Sequence, residues 1–431
     1  MRAARALAAA ALICLAAAQT AVAATDWTSL RTLDIAHQGG ENEAPSNTMY
    51  AYDRALRLGA DMLEVDIHTT ADGEIVVLHD ATVNRTTDGA GRVYDKTLEE
   101  VQALDAGHNL VPGEGTAAGR PESEYPFRGV RTGEKAPPRG FEAADFRIPT
   151  LAEVMEAYPQ VPINIEIKGA SDADPQSYIR NAEALAAFLN ELGRTDGIIV
   201  ASFHDEALAR FHELAPQIGL APGIAGVGAY KATGAPPPYG MVAFQVPIEF
   251  SGVPVTDQAF VQQAHGDGYA VHVWTINDPA EMNTMIDWGV DGIMTAEPMR
   301  LERVLCERGV ARPPRPAGAP GRHCSPRASL ACDVEPAKAR LRGKRLVVRL
   351  RREDGFAGRC AGGVSLRAAG RRSSAPFDFG EEPPSAGGPR TDRAGLRLHG
   401  RLADAVSVGD EVRLRARPYG AFTASAKLPV G

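Results

Sequence analysis

The sequence holds little that could cross a membrane. One long apolar run occurs, at 7–18, and no later stretch is apolar and long enough to span a bilayer. Cysteine is scarce too, with 5 in 431 residues. One of these, Cys14, follows Ile13 inside the apolar run, where a lipoprotein signal would need a small residue, so lipid anchoring is not expected. The other four are Cys306, Cys324, Cys332 and Cys360. No Cys-x-x-Cys and no histidine cluster accompanies them, apart from His323, which argues against a structural metal site. An even number in an exported chain is compatible with two disulfides, and three pairings stay open. A Gly-rich phosphate loop after the first apolar strand is also missing, which disfavours a doubly wound nucleotide-binding sheet.

What is present at the N-terminus reads as an export signal. Arg2 and Arg5 precede the apolar run, and Ala21-Val22-Ala23 supplies the small-x-small cleavage pattern. Residues 1–24 are expected to be removed, leaving a secreted or periplasmic protein. The remaining length exceeds what one hydrophobic core usually spans, so one large and one smaller domain are expected.

From 25 to 310, short apolar runs alternate with segments of helical period. Strands are expected at 33–36, 62–67, 163–167, 198–203, 218–224, 241–247, 270–276 and 292–295, with helices at 47–58, 178–192, 206–214, 257–265, 279–288 and 299–308. Eight strands alternating with helices make an α/β (β/α)8 TIM barrel the expected fold. The connection at 84–148 is out of proportion and rich in Gly, Pro and charge. It is either an active-site element projecting from the C-terminal face or a surface insertion without chemistry.

Residues 311–325 read as a Pro/Gly/Arg-rich linker, and 326–431 as a small all-β domain of alternating runs near 346–350, 363–368, 395–400 and 411–416. From Ala311 onward there are 24 Lys and Arg against 11 Asp and Glu, in a chain whose overall net charge is −8. That basic tail is either a docking surface for an anionic envelope polymer or membrane, or a solvated face. Nucleic acid is not an expected partner.

The chemistry concentrates at expected strand ends. His37 ends the first strand. Glu64 and Asp66 alternate on the second, so both carboxylates face the same side. His79-Asp80 follows the run 75–78, and Glu166 and Lys168 alternate on the third strand. Glu64, Asp66 and Glu166 make an all-oxygen half-shell suited to a hard divalent cation, Ca²⁺ or Mg²⁺. Two histidines beside it are what phosphodiester cleavage needs, one to take a proton from the attacking hydroxyl and one to protonate the leaving alkoxide.

His37-Gln-Gly-Gly, Pro45-Ser-Asn-Thr, Glu64-Val-Asp66, Thr70-Ala-Asp-Gly73, His79-Asp80, Glu166-Ile-Lys168 and Val273-Trp-Thr-Ile-Asn277 resemble the ordered motifs of the glycerophosphodiester phosphodiesterase family, over roughly 33–305. The resemblance implies that His37 and His79 are the acid and base, that Glu64, Asp66 and Glu166 hold the metal, and that Lys168 contacts the phosphate. Trp274 would wall the substrate pocket, or belong to barrel core. A soluble glycerophosphodiester would be the substrate. The chain departs from the family at Gln38, where Arg is usual, and at Ser46, where Glu is usual. Gln38 lacks arginine's charged fork. Phosphate binding then leans on the metal and Lys168, or on a basic residue of the insertion such as Arg85 or Arg92, and Glu41 or Glu43 could replace the missing acid. Phospholipase D and sphingomyelinase D barrels, which act on intact lipids, share the two-histidine, Glu-x-Asp layout but tend to lack the Glu-x-Lys. A non-catalytic envelope-binding barrel would have lost a histidine or metal acid, and none is missing.

Overall fold

The computed structural model describes residues 25–29, 32–236 and 239–310, together with seven strands between 334 and 429. The leader at 1–24, the linker at 311–325 and Cys324, Cys332 and Cys360 lie outside the described residues. Cys306 is disulfide-bonded.

Eight parallel strands build the main sheet: β1 Leu33–Ala36, β2 Met62–Thr69, β3 Ile163–Ile167, β4 Ile198–Ala201, β5 Gly219–Leu220, β6 Ala243–Pro247, β7 Ala270–Trp274 and β8 Gly292–Thr295. They pair in the order β5-β4-β3-β2-β1-β8-β7-β6. A lone parallel bridge between Leu220 and Met241 joins the two ends, so the sheet closes into a (β/α)8 barrel.

Alternation along each strand sorts the side chains. Leu63, Val65 and Ile67 of β2 and Ile163, Ile165 and Ile167 of β3 face outward into one apolar cluster with the surrounding helices. The intervening Glu64, Asp66, Asn164 and Glu166 therefore face the barrel axis. Lower in the axis Leu33, Ile35, Met62, Ile199, Ala243 and Ala270 form an apolar plug with Trp27 and Met294. Polar groups thus sit at one end of the barrel, on an apolar floor.

Helix α1 (Met49–Leu58) follows β1. Its first turn is fixed by Thr48, whose hydroxyl accepts from the Ala51 amide at 3.2 Å. After β2 the short strand Ile75–Val77 returns antiparallel to it and delivers the chain to His79. The connection at 84–148 is a packed unit. Val83, Val93, Val101 and Ala106 cluster with Val76 and Leu78, while Leu110, Phe127, Val130 and Phe146 cluster with Tyr50 and Ala51 of α1.

β5 is shorter than the sequence suggests. Instead of running through 218–224 it stops at Leu220, because Pro222 offers no N–H to a ladder, and Ile224 opens the helix Ile224–Thr233. That helix went unread because Ile-Ala-Gly-Val-Gly-Ala shows no clear 3.6-residue stripe. Beyond the barrel, Val334–Arg342, Arg345–Arg352 and Arg390–Arg397 form one antiparallel sheet. Arg371–Asp378, Ala361–Ala368, Glu411–Pro418 and Ala424–Pro429 form a second. Among the described residues of the tail, the all-β expectation is met.

Candidate active site

The site begins at the turn that leaves β1. Gln38 adopts φ 51°, and Gly39 and Gly40 follow at φ 79° and 88°. A Cβ on Gly39 would lie 2.8 Å from Ala51 Cβ, and one on Gly40 2.8 Å from Pro298, so this close, left-handed turn requires both glycines. It holds the Gln38 amide against Glu64, donating to Oε2 at 2.7 Å. It also brings Glu41 under His37, whose Nδ1–H donates to Glu41 Oε1 at 2.9 Å. A carboxylate can only accept there, so the proton is on Nδ1 and Nε2 is left for chemistry. Burial alone would lower the pKa of His37, but the charge on Glu64 and the hydrogen bond to Glu41 raise it to about 9.

His79 is held in the same way. Its Nδ1–H donates to Asp80 Oδ1 at 2.8 Å. Arg85 grips the same carboxylate with two bonds, Nε to Oδ2 at 2.8 Å and Nη2 to Oδ1 at 2.9 Å. Burial opposes the charge on Asp80, yet these bonds hold its carboxyl well below the usual range.

Glu64, Asp66 and Glu166 converge so that one oxygen from each lies within 4.8 Å of the others. Glu64 Oε1 is buried without a hydrogen-bond partner. Burial, and then the negative charge of Asp66, push the Glu64 carboxyl well above its usual pKa. Burial also works against the charge on Asp66, but Lys168 Nζ, 3.2 Å from its Oδ1, keeps it ionised. Lys168 Nζ also donates to Glu166 Oε1 at 2.7 Å. An all-oxygen trio with an orphaned, desolvated oxygen fits a hard divalent cation.

Asn47 and Tyr52 support the trio. The Asn47 amide donates to Asp66 Oδ2 at 3.2 Å, and the Tyr52 hydroxyl donates to Asn47 Oδ1 at 2.6 Å. Asn47 lies in Pro-Ser-Asn-Thr, a loop segment whose sequence gives no sign of which strand residue its side chain will reach. The His37–Glu41 pair carried its own signal in the four-residue spacing.

The two departures from the family pattern touch each other. Ser46 Oγ donates to Gln38 Oε1 at 2.5 Å, and both residues are buried. A neutral hydrogen-bonded pair occupies these positions. Neither candidate acid replacement sits at this pair: Glu41 serves His37, and Glu43 pairs with Arg54 at 3.1 Å, burial pushing its carboxyl up to about 7. Nor does the structure give a spare cation at Arg85 or Arg92. Arg85 is committed to Asp80, and Arg92 contacts the Tyr94 hydroxyl at the surface.

Trp274 ends β7 and stacks on Phe203, ring centres 5.7 Å apart. Lys168 Nζ lies 5.7 Å from the Phe203 ring centre, and Phe250 meets Phe203 edge-on, ring centres 6.5 Å apart. Phe203, Ile224, Phe250 and Val253 are all exposed. Trp274 is half-buried: it packs on the apolar plug of the barrel and also backs a solvent-facing apolar wall beside the charged trio, with Phe203 its missed partner. His37, His79, Glu64, Asp66, Glu166, Lys168 and Trp274 come to this one mouth, whereas Gln38, the remaining candidate phosphate ligand, is buried with its side-chain oxygen on Ser46.

The sequence model of the glycerophosphoryl diester phosphodiesterase family matches residues 37–300. A glycerophosphodiester phosphodiesterase of Caldanaerobacter subterraneus subsp. tengcongensis is 32% identical over 287 residues, covering 65% of this chain and all of the relative. A lysophospholipase D of Rattus norvegicus is 26% identical over 294 residues, covering 63% of this chain and 85% of the relative. A solved structure from Silicibacter pomeroyi DSS-3 superposes with a TM-score of 0.51 at 22% identity, over 66% of this chain and 96% of that one. That likeness speaks for the barrel alone. The matched span takes in both histidines, the acidic trio and the strands β2 through β8, and the chain belongs to the glycerophosphoryl diester phosphodiesterase family.

Proposed function

We propose that the chain is an exported, metal-dependent hydrolase that cleaves glycerophosphodiesters to glycerol phosphate and an alcohol. The observation that carries this reading is the pairing of two carboxylate-anchored histidines with a buried acidic trio and Lys168 in one barrel mouth. Glu64, Asp66 and Glu166 would hold Ca²⁺ or Mg²⁺, which when bound supplies positive charge to the phosphoryl oxygens. Lys168 contributes a second positive group on the same face. One histidine takes the proton of the attacking hydroxyl through Nε2 as the new P–O bond forms. The other gives a proton to the departing alkoxide as the old bond breaks. Glu41 and Asp80 keep each ring in the tautomer and orientation for that exchange.

The purified chain is expected to release glycerol phosphate from glycerophosphocholine, to stop on chelation, and to resume when a divalent cation is restored. No turnover with Ca²⁺, Mg²⁺ or Mn²⁺ supplied would sink the reading. Export is supported by the leader pattern at 1–24, and the N-terminal sequence of the secreted protein tests it. The basic composition of 326–431 supports docking on an anionic envelope polymer or membrane surface as the reading for that module; truncation after Val310 should then spare turnover of soluble diesters.

A second reading concerns substrate size. The exposed wall of Phe203, Ile224, Phe250 and Val253 favours a diester that also carries a single acyl chain, laid against the rings while its phosphate meets Lys168. A rate on lysophosphatidylcholine no higher than on glycerophosphocholine would leave the wall without this role.

A further inference from the structure

The two histidines arrive from different parts of the chain. His37 leaves β1 and His79 follows the strand antiparallel to β2, so no single element fixes one ring relative to the other. Their carboxylate partners, however, flank one guanidinium. Arg85 binds Asp80 through Nε and Nη2, and its third nitrogen, Nη1, lies 3.9 Å from Glu41 Oε2. The first contact is a bidentate fork that fixes the plane of Asp80. The second is too long for a hydrogen bond but close enough for charge pairing at a site where Arg85 is only 35% exposed. Asp80 Oδ1 serves Arg85 and His79 together, and Glu41 offers Oε1 to His37 and Oε2 to Arg85. The series His37–Glu41–Arg85–Asp80–His79 is thus unbroken.

The insertion anchors the centre of this series. The backbone carbonyl of Arg85 accepts from Asn109 Nδ2 at 2.9 Å, and Asn109 Oδ1 accepts from Arg128 Nη2 at 3.3 Å. Asn109 and Arg128 both belong to the 84–148 unit.

We propose that Arg85 is a positioning residue that couples the two histidine–carboxylate pairs, and that the 84–148 insertion serves the reaction by holding it there. This rests on the phosphodiesterase reading above. Arg85 acts on geometry. Its guanidinium stands between the Asp80 and Glu41 carboxylates, and without that cation both lose the partner that fixes their orientation, and with it the orientation of the two rings they anchor. Lysine offers one point charge and cannot reproduce the fork.

The test uses the purified chain, saturated with its divalent cation, on glycerophosphocholine. Arg85→Ala is expected to lower kcat by about 100-fold and Arg85→Lys by about tenfold, with KM within about twofold, the range typical of groups that orient a site from one shell out. Guanidinium at millimolar concentration should restore part of the kcat of Arg85→Ala and none of that of Arg85→Lys. Glu41→Gln and Asp80→Asn should be non-additive in the wild-type background and additive in the Arg85→Gln background. A rise in KM at unchanged kcat would make Arg85 a substrate ligand and overturn the proposal, as would unchanged kcat throughout. Additivity of Glu41→Gln and Asp80→Asn in the wild-type background would do the same. If Arg85→Ala does not fold, Arg85→Lys and the double substitution at 41 and 80 decide the question in its place. Inactive wild-type chain points to failure of the phosphodiesterase reading instead, so the two failures are told apart.

Discussion

The two walls of the barrel mouth are built from the same kind of strand end and do opposite things. On the β1–β3 side, the charged side chains at the rim are tied to one another: His37 to Glu41, His79 to Asp80, Lys168 to Asp66 and Glu166. On the β4–β7 side, Phe203, Trp274 and Phe250 meet through ring contacts, and Phe203 and Phe250 face solvent. A desolvated charge costs several kcal/mol unless it is paired, so the charged wall must be rigid. Apolar rings bear no such demand and can stay exposed until something apolar covers them. On the proposed reading, the polar wall would carry the reaction and the apolar wall would select what else the diester carries.

The largest expected effect comes from breaking the polar wall. His37→Ala should lower kcat by about 10³-fold with the metal still bound, read as initial rate beside a calorimetric metal titration. Glu64→Gln should instead weaken metal binding itself, because it removes one ligand and leaves a buried amide. Next comes a shift in protonation. In the metal-free chain His37 titrates near 9, and a cation beside Glu64 and Asp66 should lower that value, followed by the imidazole resonance. Since the folded value lies above the unfolded one, this group stabilises the metal-free fold fully below about pH 6.5, and that stabilisation is lost as pH rises through about 9. A melting temperature of the metal-free chain that does not fall across that window would contradict it.

Smaller effects sharpen the contrast. Phe203→Ala should slow turnover of lysophosphatidylcholine about tenfold and leave glycerophosphocholine nearly unchanged, since one aromatic contact is worth about 1.5–3 kcal/mol when buried. Equal losses on both substrates would place Phe203 among the groups that serve the phosphate. Least of all, Ser46→Ala should cost about 1–3 kcal/mol of stability by leaving the buried Gln38 Oε1 without its donor, with kcat changed by less than about threefold. Chemical denaturation measures the first, steady-state kinetics the second.

Much of this was legible in the sequence because the barrel imposes a strict period. Alternation in Glu64-Val-Asp66 and Glu166-Ile-Lys168 reports which side chains face the axis, and the structure brings them together there. What alternation cannot report is which partner a rim residue meets once the chain has left its strand. Arg85 read as a spare phosphate ligand, yet the fork closes on Asp80. Phe203 sat at the end of an expected strand with nothing to say that Trp274 would stack on it. Gln38 and Ser46 looked like two separate losses and are one contact. Such pairing, set by loop conformation and not by period, is the part that had to be seen.

The two-residue strand β5 carries a consequence of another kind. A barrel has no edge only while every seam holds, and here the ring is completed through Gly219–Leu220 and one bridge to Met241. Few backbone bonds guard that seam, so amide hydrogens at Leu220 and Val242 should exchange faster than those of β2 or β3, marking where the ring first comes apart. The paired charges of the mouth lie on β1 to β3 and the loops that follow them, away from that junction, so opening at the seam is expected to leave their geometry in place.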